Sequence, residues 1–186
     1  MKLKKFYKNI MNKKLLRGFT LIELLIVMAI LGVLAVVVLV AINPVQQLAR
    51  TRDAGRKSGV TQIGHAAEAF YTSHGGSYMS ATGWLSTLSL AGELSSIPQE
   101  IAGTATGYNR CVTNQTSGWC YNIDGTLSNS VIYTRLESLS EGSKCTTSTD
   151  TAYFIFSTTA GRGGLVCLSS AAGEPIWSTV SFNPVQ

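Results

Sequence analysis

The chain has 186 residues and a formal net charge of +5; 45% of its residues are hydrophobic and only 13% are charged. This length fits one domain or little more, and the apolar content excludes a wholly disordered chain. The charge is unevenly distributed, because residues 1–18 contain seven basic and no acidic residues, whereas the remainder contains eight basic and ten acidic ones. Without its first segment the chain is slightly acidic, so the overall charge does not indicate a nucleic-acid-binding protein.

An uninterrupted apolar run of 19 residues, Leu24–Ile42, follows the basic segment. As a helix it would be roughly 29 Å long, close to the ~30 Å hydrocarbon core of a bilayer. The run therefore predicts a membrane-spanning helix, with the basic flank in the cytoplasm and the carboxy-terminal part outside. A secretory signal peptide and a plain uncut anchor are alternatives. The run is too long for the former and lacks a small-x-small cleavage site, and neither explains Gly18 or the single Glu23.

Residues 17–25 read Arg-Gly-Phe-Thr-Leu-Ile-Glu-Leu-Leu, between the basic leader and the apolar run. This order of features resembles the amino-terminal signal of the type IV pilin superfamily, which includes type IV pilins and the pseudopilins of type II secretion and competence systems. The resemblance covers residues 13–42 and, loosely, the helix beyond.

The resemblance implies a precursor in the inner membrane with an outward-facing carboxy-terminal domain. A prepilin peptidase would cut after Gly18, and the new amino group of Phe19 would be methylated. An assembly ATPase and platform proteins would then move the subunit from the membrane into a homo-oligomeric helical filament, either extracellular or periplasmic.

Glu23 is the residue of greatest interest in this resemblance, because a carboxylate inside an apolar span is costly and indicates a function. In family members, a glutamate at this fifth mature position pairs with the mature amino terminus of a neighbouring subunit. Such a pair would neutralise both charges and set the axial register of subunits. The alternative is a glutamate at the membrane edge whose carboxylate merely reaches the interface.

Helical spacing of apolar residues continues beyond the span and predicts one long helix over residues 19–72, of which 19–43 would be transmembrane or filament core. Pro44 predicts a kink or break near residues 40–43, since proline removes a backbone donor and clashes with the preceding turn. Gly32 weakens the span further. Helix breakers in the apolar segment of superfamily members allow local melting during assembly, so the resemblance makes Gly32 and Pro44 assembly candidates.

The outer half of this helix contains a charged turn, Arg50–Lys57, in which the spacing predicts pairing of Asp53 with Lys57 and with Arg50. The turn is interpreted as a solvated face near lipid headgroups or as a contact with adjacent subunits; DNA binding is the least favoured interpretation. The helix also contains three glycines, which either weaken it or permit close packing in a filament core. They are Gly55, Gly59 and Gly64.

The composition changes after His74, where Ser, Thr, Gly and Asn become frequent. We expect a connecting loop over residues 73–106, with a short helix at 82–94, and an antiparallel head of about four strands over 107–186. The predicted fold is α+β and pilin-like, with the sheet packed on the long helix. The candidate strands are Tyr108–Thr113, Trp119–Ile123, Val131–Leu136, Tyr153–Thr158, Gly164–Leu168 and, as a further candidate, Ile176–Phe182.

All four cysteines lie in the predicted head: Cys111, Cys120, Cys145 and Cys167. An even number in an exported domain indicates disulfides, each contributing about 2–4 kcal/mol. Three connectivities are possible, and we favour Cys111–Cys120 with Cys145–Cys167, because each pair would close a local hairpin or loop. A zinc site is disfavoured, since there is no C-x-x-C pair.

No catalytic motif is present in the sequence, since His65 and His74 stand alone and neither H-E-x-x-H nor G-x-S-x-G occurs. We therefore expect no catalytic residue, no bound metal or cofactor, and no enzymatic activity. Calcium remains a weaker possibility, because four acidic residues offer oxygen ligands, although without the spacing of a calcium loop. These residues are Asp124, Glu137, Glu141 and Asp150.

The sequence thus favours a structural subunit of a type IV pilus-like filament. A pseudopilin of a secretion or competence apparatus is the nearest alternative. An uncleaved membrane-anchored ectodomain with a binding role is an alternative from a different class.

Overall fold

The computed structural model describes most of the chain after the basic leader as two compact units, which meet in sequence between Asn43 and Pro44. The described residues are 18–101, 103, 111, 115–169, 173–178 and 180–182.

The described residues of the first unit form the helix α1, Leu21–Ile42, and every side chain of this helix is exposed. By length and composition α1 could cross a membrane. The helix ends at Asn43, which adopts the left-handed conformation (φ 46°, ψ 77°) that asparagine tolerates better than most residues. Pro44 is then the first residue of the next helix, a position where its missing N–H group is not needed. The helix predicted over residues 19–72 is therefore two helices, and the break at Asn43 confirms the interruption predicted near residues 40–43.

The second unit contains the remaining helices and one antiparallel sheet. Its strands follow each other in the order β1-β2-β3-β4-β5, which is a simple meander. The fold confirms the predicted α+β layout of a long amino-terminal apolar helix followed by an antiparallel sheet. The elements are α2 (Pro44–Ser73), α3 (Trp84–Leu90), β1 (Gln115–Thr116), β2 (Trp119–Ile123), β3 (Ser130–Arg135), α4 (Leu139–Gly142), β4 (Thr151–Ser157) and β5 (Arg162–Leu168).

Four candidate strands correspond to β2, β3, β4 and β5, with shifts of at most two residues at their ends. The candidate Tyr108–Thr113 lies outside the described residues, apart from Cys111. The candidate Ile176–Phe182 was wrong for its described residues, which form no strand and instead place Phe182 against the outer face of the sheet. The short helix is α3, which is confined between the left-handed Gly83 and Gly92.

The main core lies between α2 and one face of the sheet. Tyr121, Ile132 and Phe156 stand directly opposite one another on β2, β3 and β4, so they form one row on that face. The apolar residues of α2, which recur at helical spacing, cover this row. The core residues from the helices are Val60, Ile63, Ala66, Ala67 and Phe70 of α2 and Trp84, Leu85 and Leu88 of α3.

Two glycines of α2 lie where the sheet comes closest. A Cβ atom at Gly59 would overlap the indole ring of Trp119, and one at Gly64 would overlap the ring of Phe156. Both rings are fully buried, with 1% and 0% exposure. These glycines therefore permit close packing of the sheet on α2 within one subunit. Sequence analysis considered close packing only between helices in a filament core.

The hairpin between β2 and β3 is held by the carboxylate of Asp124. It accepts hydrogen bonds from the backbone N–H of Ser128 at 2.8 Å, the side-chain amide of Asn129 at 2.9 Å and the hydroxyl of Thr126 at 3.0 Å. Burial of Asp124 opposes its ionisation, but these hydrogen bonds outweigh it and lower the pKa of Asp124 to about 2.

Replacing Gly64 by Ala should lower the free energy of unfolding of the head by about 1–3 kcal/mol, because the new methyl group overpacks the core against Phe156. Denaturant unfolding of the full chain in detergent, followed by near-ultraviolet circular dichroism, measures this change. Gly142→Ala is the matched control, since Gly142 is also helical but has open space where the Cβ would stand. Equal unfolding midpoints for the two variants would contradict the packing role.

Asp124 should also make the stability of the head depend on acidity. Its folded pKa lies near 2 and below the ordinary value of 3.8, so its contribution is complete above about pH 4 and disappears as the pH falls towards 2. Asp124→Asn keeps the shape of the side chain but cannot titrate. Denaturant midpoints measured from pH 5 to pH 2 should therefore fall less steeply in the variant, and identical slopes would contradict the role of Asp124.

Candidate processing and assembly site

The start of α1 is closed by a reciprocal capping box. The hydroxyl of Thr20 accepts a hydrogen bond from the backbone N–H of Glu23 at 3.3 Å. In return, Oε2 of Glu23 accepts from the backbone N–H of Thr20 at 2.9 Å and from its hydroxyl at 2.7 Å. Two N–H groups that a helix start otherwise leaves unpaired are thereby satisfied.

This capping box turns the carboxylate of Glu23 back towards Phe19. The negative charge lies at the amino-terminal end of the helix dipole, where it is favourable. Gly18 and Phe19 lie before the helix and are exposed, so their peptide bond is in non-helical backbone. Sequence analysis missed this contact, although the Thr-x-x-Glu pattern that signals it spans residues 20–23.

The other two assembly candidates are placed differently. Gly32 lies in the middle of α1, and no heavy atom of the described residues lies within 4 Å of the place of its Cβ. Nothing in the subunit's own described structure therefore requires a glycine there. Pro44 opens α2 and so belongs to the second unit.

The charged turn of α2 forms a buried network rather than an exposed surface. Asp53 and Arg56 are 2% and 1% exposed, and their side chains form an ion pair at 2.7 Å. Asp53 also accepts hydrogen bonds from the backbone N–H groups of Glu137 at 3.1 Å and Ser138 at 2.8 Å. Arg56 donates to the backbone carbonyl of Ile101 at 3.1 Å. The network therefore joins α2 to the loop between β3 and α4.

The predicted pairing of Asp53 with Lys57 and Arg50 was wrong. Lys57 pairs with Glu141 of α4 at 2.7 Å, and Arg52 pairs with Glu137. Arg56 is the partner of Asp53, and its guanidinium also donates to the carbonyl of Ile101. Most charges of this turn are thus engaged within the subunit, whereas Arg50 is exposed.

The four acidic residues considered for calcium are not brought together. Glu137 and Glu141 bind basic side chains of the chain itself, and Asp124 holds its own hairpin. Within the described ranges, no group of three or more His, Cys, Asp and Glu side chains is placed to share a metal ion.

The cysteines form the two pairs that sequence analysis favours. Cys111 is joined to Cys120 of β2, and Cys145, in the loop after α4, is joined to Cys167 of β5. The Cα–Cα distance is 5.6 Å in each pair, within the range usual for a disulfide. Both bonds fasten a connecting segment to the sheet.

The two histidines pack separately along α2 and just beyond it. His65 is exposed and packs edge-on against Phe156, with a centroid distance of 5.1 Å. His74 stacks on Phe70 at 3.8 Å. The two histidines are nine positions apart in sequence and contact different rings, those of Phe156 and Phe70.

The sequence around the capped start of α1 matches a known family model. The chain carries the prokaryotic N-terminal methylation motif. The family model matches residues 14–39, which include the candidate cleavage residue Gly18, Phe19 and Glu23. This is the signal motif of type IV pilins and pseudopilins, and it confirms the resemblance seen in the sequence. Neither a curated protein nor a solved structure matches the chain.

The methylation motif indicates a type IV pilin-like or pseudopilin precursor, a class of structural proteins. Together with the exposed apolar α1, it fits a membrane-anchored precursor. The family model covers residues 14–39 and none of the head.

Replacing Asp53 by Asn should destabilise the head by about 3–5 kcal/mol, because it leaves a buried Arg56 charge without its closest partner. The change is measured by denaturant unfolding of the full chain in detergent. Glu68→Gln is the matched control, since Glu68 is half-exposed and its contact with the exposed His65 at 3.5 Å should contribute less than about 1 kcal/mol. A loss for Asp53→Asn no larger than that of the control would disprove the anchoring role.

Proposed function

We propose that the chain is the precursor of a structural subunit of a type IV pilus-like filament, which a prepilin peptidase cuts after Gly18. The observation that carries this proposal is the methylation motif at the start of a helix whose apolar side chains are all exposed. A helix with this surface must be covered by lipid or by other helices, and a filament core of packed α1 helices would cover it.

The surroundings of the candidate cleavage site support processing. Gly18 has no described heavy atom within 4 Å of the place of its Cβ. A glycine at this position would fit a protease subsite that has no room for a side chain. The non-helical backbone at residues 18–20 would let the peptidase bind this segment in an extended form.

Glu23 and Phe19 are proposed as the assembly residues. Once the chain begins at Phe19, its amino group and the Glu23 carboxylate lie at the same end of α1. In a filament core both groups would be removed from water, where an unpaired charge is costly. Pairing with the amino terminus of a neighbouring subunit would remove this cost and set the register, whereas Gly32 would allow helices to approach closely.

The two disulfides support a head that works outside the cytoplasm, because such bonds persist in oxidising compartments. We accordingly place the precursor in the inner membrane with its head outward, and the mature subunit in a homo-oligomeric filament. An assembly ATPase and platform proteins would extract it from the membrane.

A pseudopilin is the second candidate, and one feature favours it. The stretch Tyr71–Tyr78 is similar to the corresponding stretch of major pseudopilins. In the structure it forms a tight reversal, with Gly75 and Gly76 at positive φ and the rings of Tyr71 and Tyr78 stacked at 4.5 Å. A pseudopilin would share the processing and assembly residues but remain in a short periplasmic filament.

Mass spectrometry of the amino-terminal peptide distinguishes these candidates. An abundant species beginning at methylated Phe19 in filaments sheared from intact cells would support the pilus subunit. The same species confined to the membrane fraction would favour the pseudopilin. A chain that retains its leader in cells with an active prepilin peptidase would overturn both.

Substitutions at the capping box separate the charge of Glu23 from its role in helix capping. Glu23→Gln keeps the hydrogen-bonding shape of a capping box but removes the charge. If the charge serves assembly, this variant should insert in the membrane normally and yield at least tenfold fewer filaments. Filament yield is measured by immunoblotting of sheared material.

Thr20→Val is the complementary variant, since it keeps the charge but removes the cap hydroxyl, and Thr20→Ser is its matched control. Loss of one cap weakens the helix start by about 1 kcal/mol, so we expect a much smaller loss of filaments than in Glu23→Gln. Normal filament numbers in Glu23→Gln would rule out the charge pair.

A further inference from the structure

We infer that the base of the head is a bilayer-contact surface, which rests on the interfacial region of the membrane that α1 spans. The surface consists of three exposed apolar side chains, Val45 and Leu48 of α2 and Leu139 of α4, with the exposed Arg50 beside them in sequence. The inference rests on the membrane-anchored precursor and adds a second lipid contact to it.

These apolar side chains are unusually exposed for a folded head. The exposed fractions are 63% for Val45, 60% for Leu48 and 70% for Leu139. All three lie on the same unit as the sheet, and their exposure contrasts with the buried apolar stripe that α2 presents further along its length. Some apolar environment outside the head is therefore expected to cover them.

The contacts of the β3–α4 loop place Leu139 at the end of α2 nearest to Asn43. Glu137 and Ser138 bind Asp53, but the N–H of Leu139 is bonded to the side chain of Gln46 at 3.1 Å. Gln46 precedes Asp53 by seven residues, or roughly 10 Å along a helix. After Leu139 the chain returns, since Glu141 pairs with Lys57. Leu139, the first residue of α4, thus lies where the chain comes up to the start of α2 and turns back.

Chain connectivity identifies the bilayer as the occupant. Val45 follows the last residue of α1 by three positions, so it lies within about 10 Å of the end of the span at any angle between the two helices. The polar interfacial region of a bilayer is about 5–8 Å thick on each side. Val45 must therefore be in or beside that region while α1 is inserted. Leu48 follows one turn later, and Leu139 is bonded to Gln46, the residue after Val45.

The charge of this surface suits the same occupant. Arg50 is exposed and lies four residues after Gln46, so it projects on the same side of α2 as the residue that binds Leu139. Apolar residues flanked by a basic one are the pattern by which interfacial segments bind membranes that contain anionic lipids.

The test places a fluorescent side chain at the proposed contact. The full-length Leu139→Trp variant is reconstituted in vesicles of phosphatidylcholine and phosphatidylglycerol, with and without bromine on the acyl chains. The added tryptophan should emit at a shorter wavelength than a tryptophan that is exposed to water. Its emission intensity should also be lower in the brominated vesicles. Wild-type protein supplies the background from Trp84, Trp119 and Trp177.

Leu90→Trp is the matched control. Leu90 is 89% exposed but belongs to α3, and Glu93 three residues later accepts a hydrogen bond from Ser73, the last residue of α2. Leu90 therefore lies towards the opposite end of α2 from Val45. Its tryptophan should show neither the blue shift nor the quenching.

Quenching of Leu139→Trp that exceeds Leu90→Trp and does not change with the protein-to-lipid ratio would support the inference. Quenching equal to the control would overturn it. A blue-shifted but unquenched tryptophan would also overturn it, because protein rather than lipid would then cover residue 139. Alkaline extraction is run in parallel: a chain released from the vesicles would overturn the membrane-anchored precursor itself, and the bilayer contact with it.

Discussion

The buried pair of Asp53 and Arg56 is the interaction on which the arrangement of the head depends. Removing two charges from water costs several kcal/mol for each ion, and their attraction offsets this only when further hydrogen bonds satisfy both groups. Here the N–H groups of Glu137 and Ser138 donate hydrogen bonds to the carboxylate of Asp53, and the carbonyl of Ile101 accepts one from the guanidinium of Arg56. Because these partners come from two separate segments, which must both meet α2, only one placement of the loop on α2 satisfies both charges.

The contacts between α2 and the sheet restrict the distance between them. The charged network sets where the sheet lies along α2, whereas Gly59 and Gly64 set how closely it approaches, since Trp119 and Phe156 occupy the space of the missing side chains. Two aromatic residues of this core also donate hydrogen bonds to the backbone of the connecting segment: Trp119 to the carbonyl of Pro98 and Tyr121 to that of Met79, both at 2.9 Å. The connecting segment is thus held by the core that it covers.

Sequence patterns predicted the helices and strands that depend on local periodicity. They did not predict the side-chain contacts that depend on residues far away in the sequence. The apolar run of α1 and the alternation in β2 to β5 are local, so both were predicted. The partner of Asp53 was not, because several basic residues lie at helical spacing and the deciding donors are more than 80 residues away. The role of Gly59 likewise depends on a ring 60 positions later. The Thr20–Glu23 cap was local and could have been read.

The capping box constrains how Glu23 could pair with a second subunit. Both bonds from Thr20 end on Oε2, and no described group donates to Oε1. An approaching amino group would therefore bind at Oε1 without displacing Thr20, so assembly would add a partner to an ordered carboxylate rather than reorganise a flexible one. Less side-chain entropy would then be lost on pairing, since the cap has already ordered the glutamate. In this arrangement Thr20 contributes to assembly by orienting the charge, although it carries none itself.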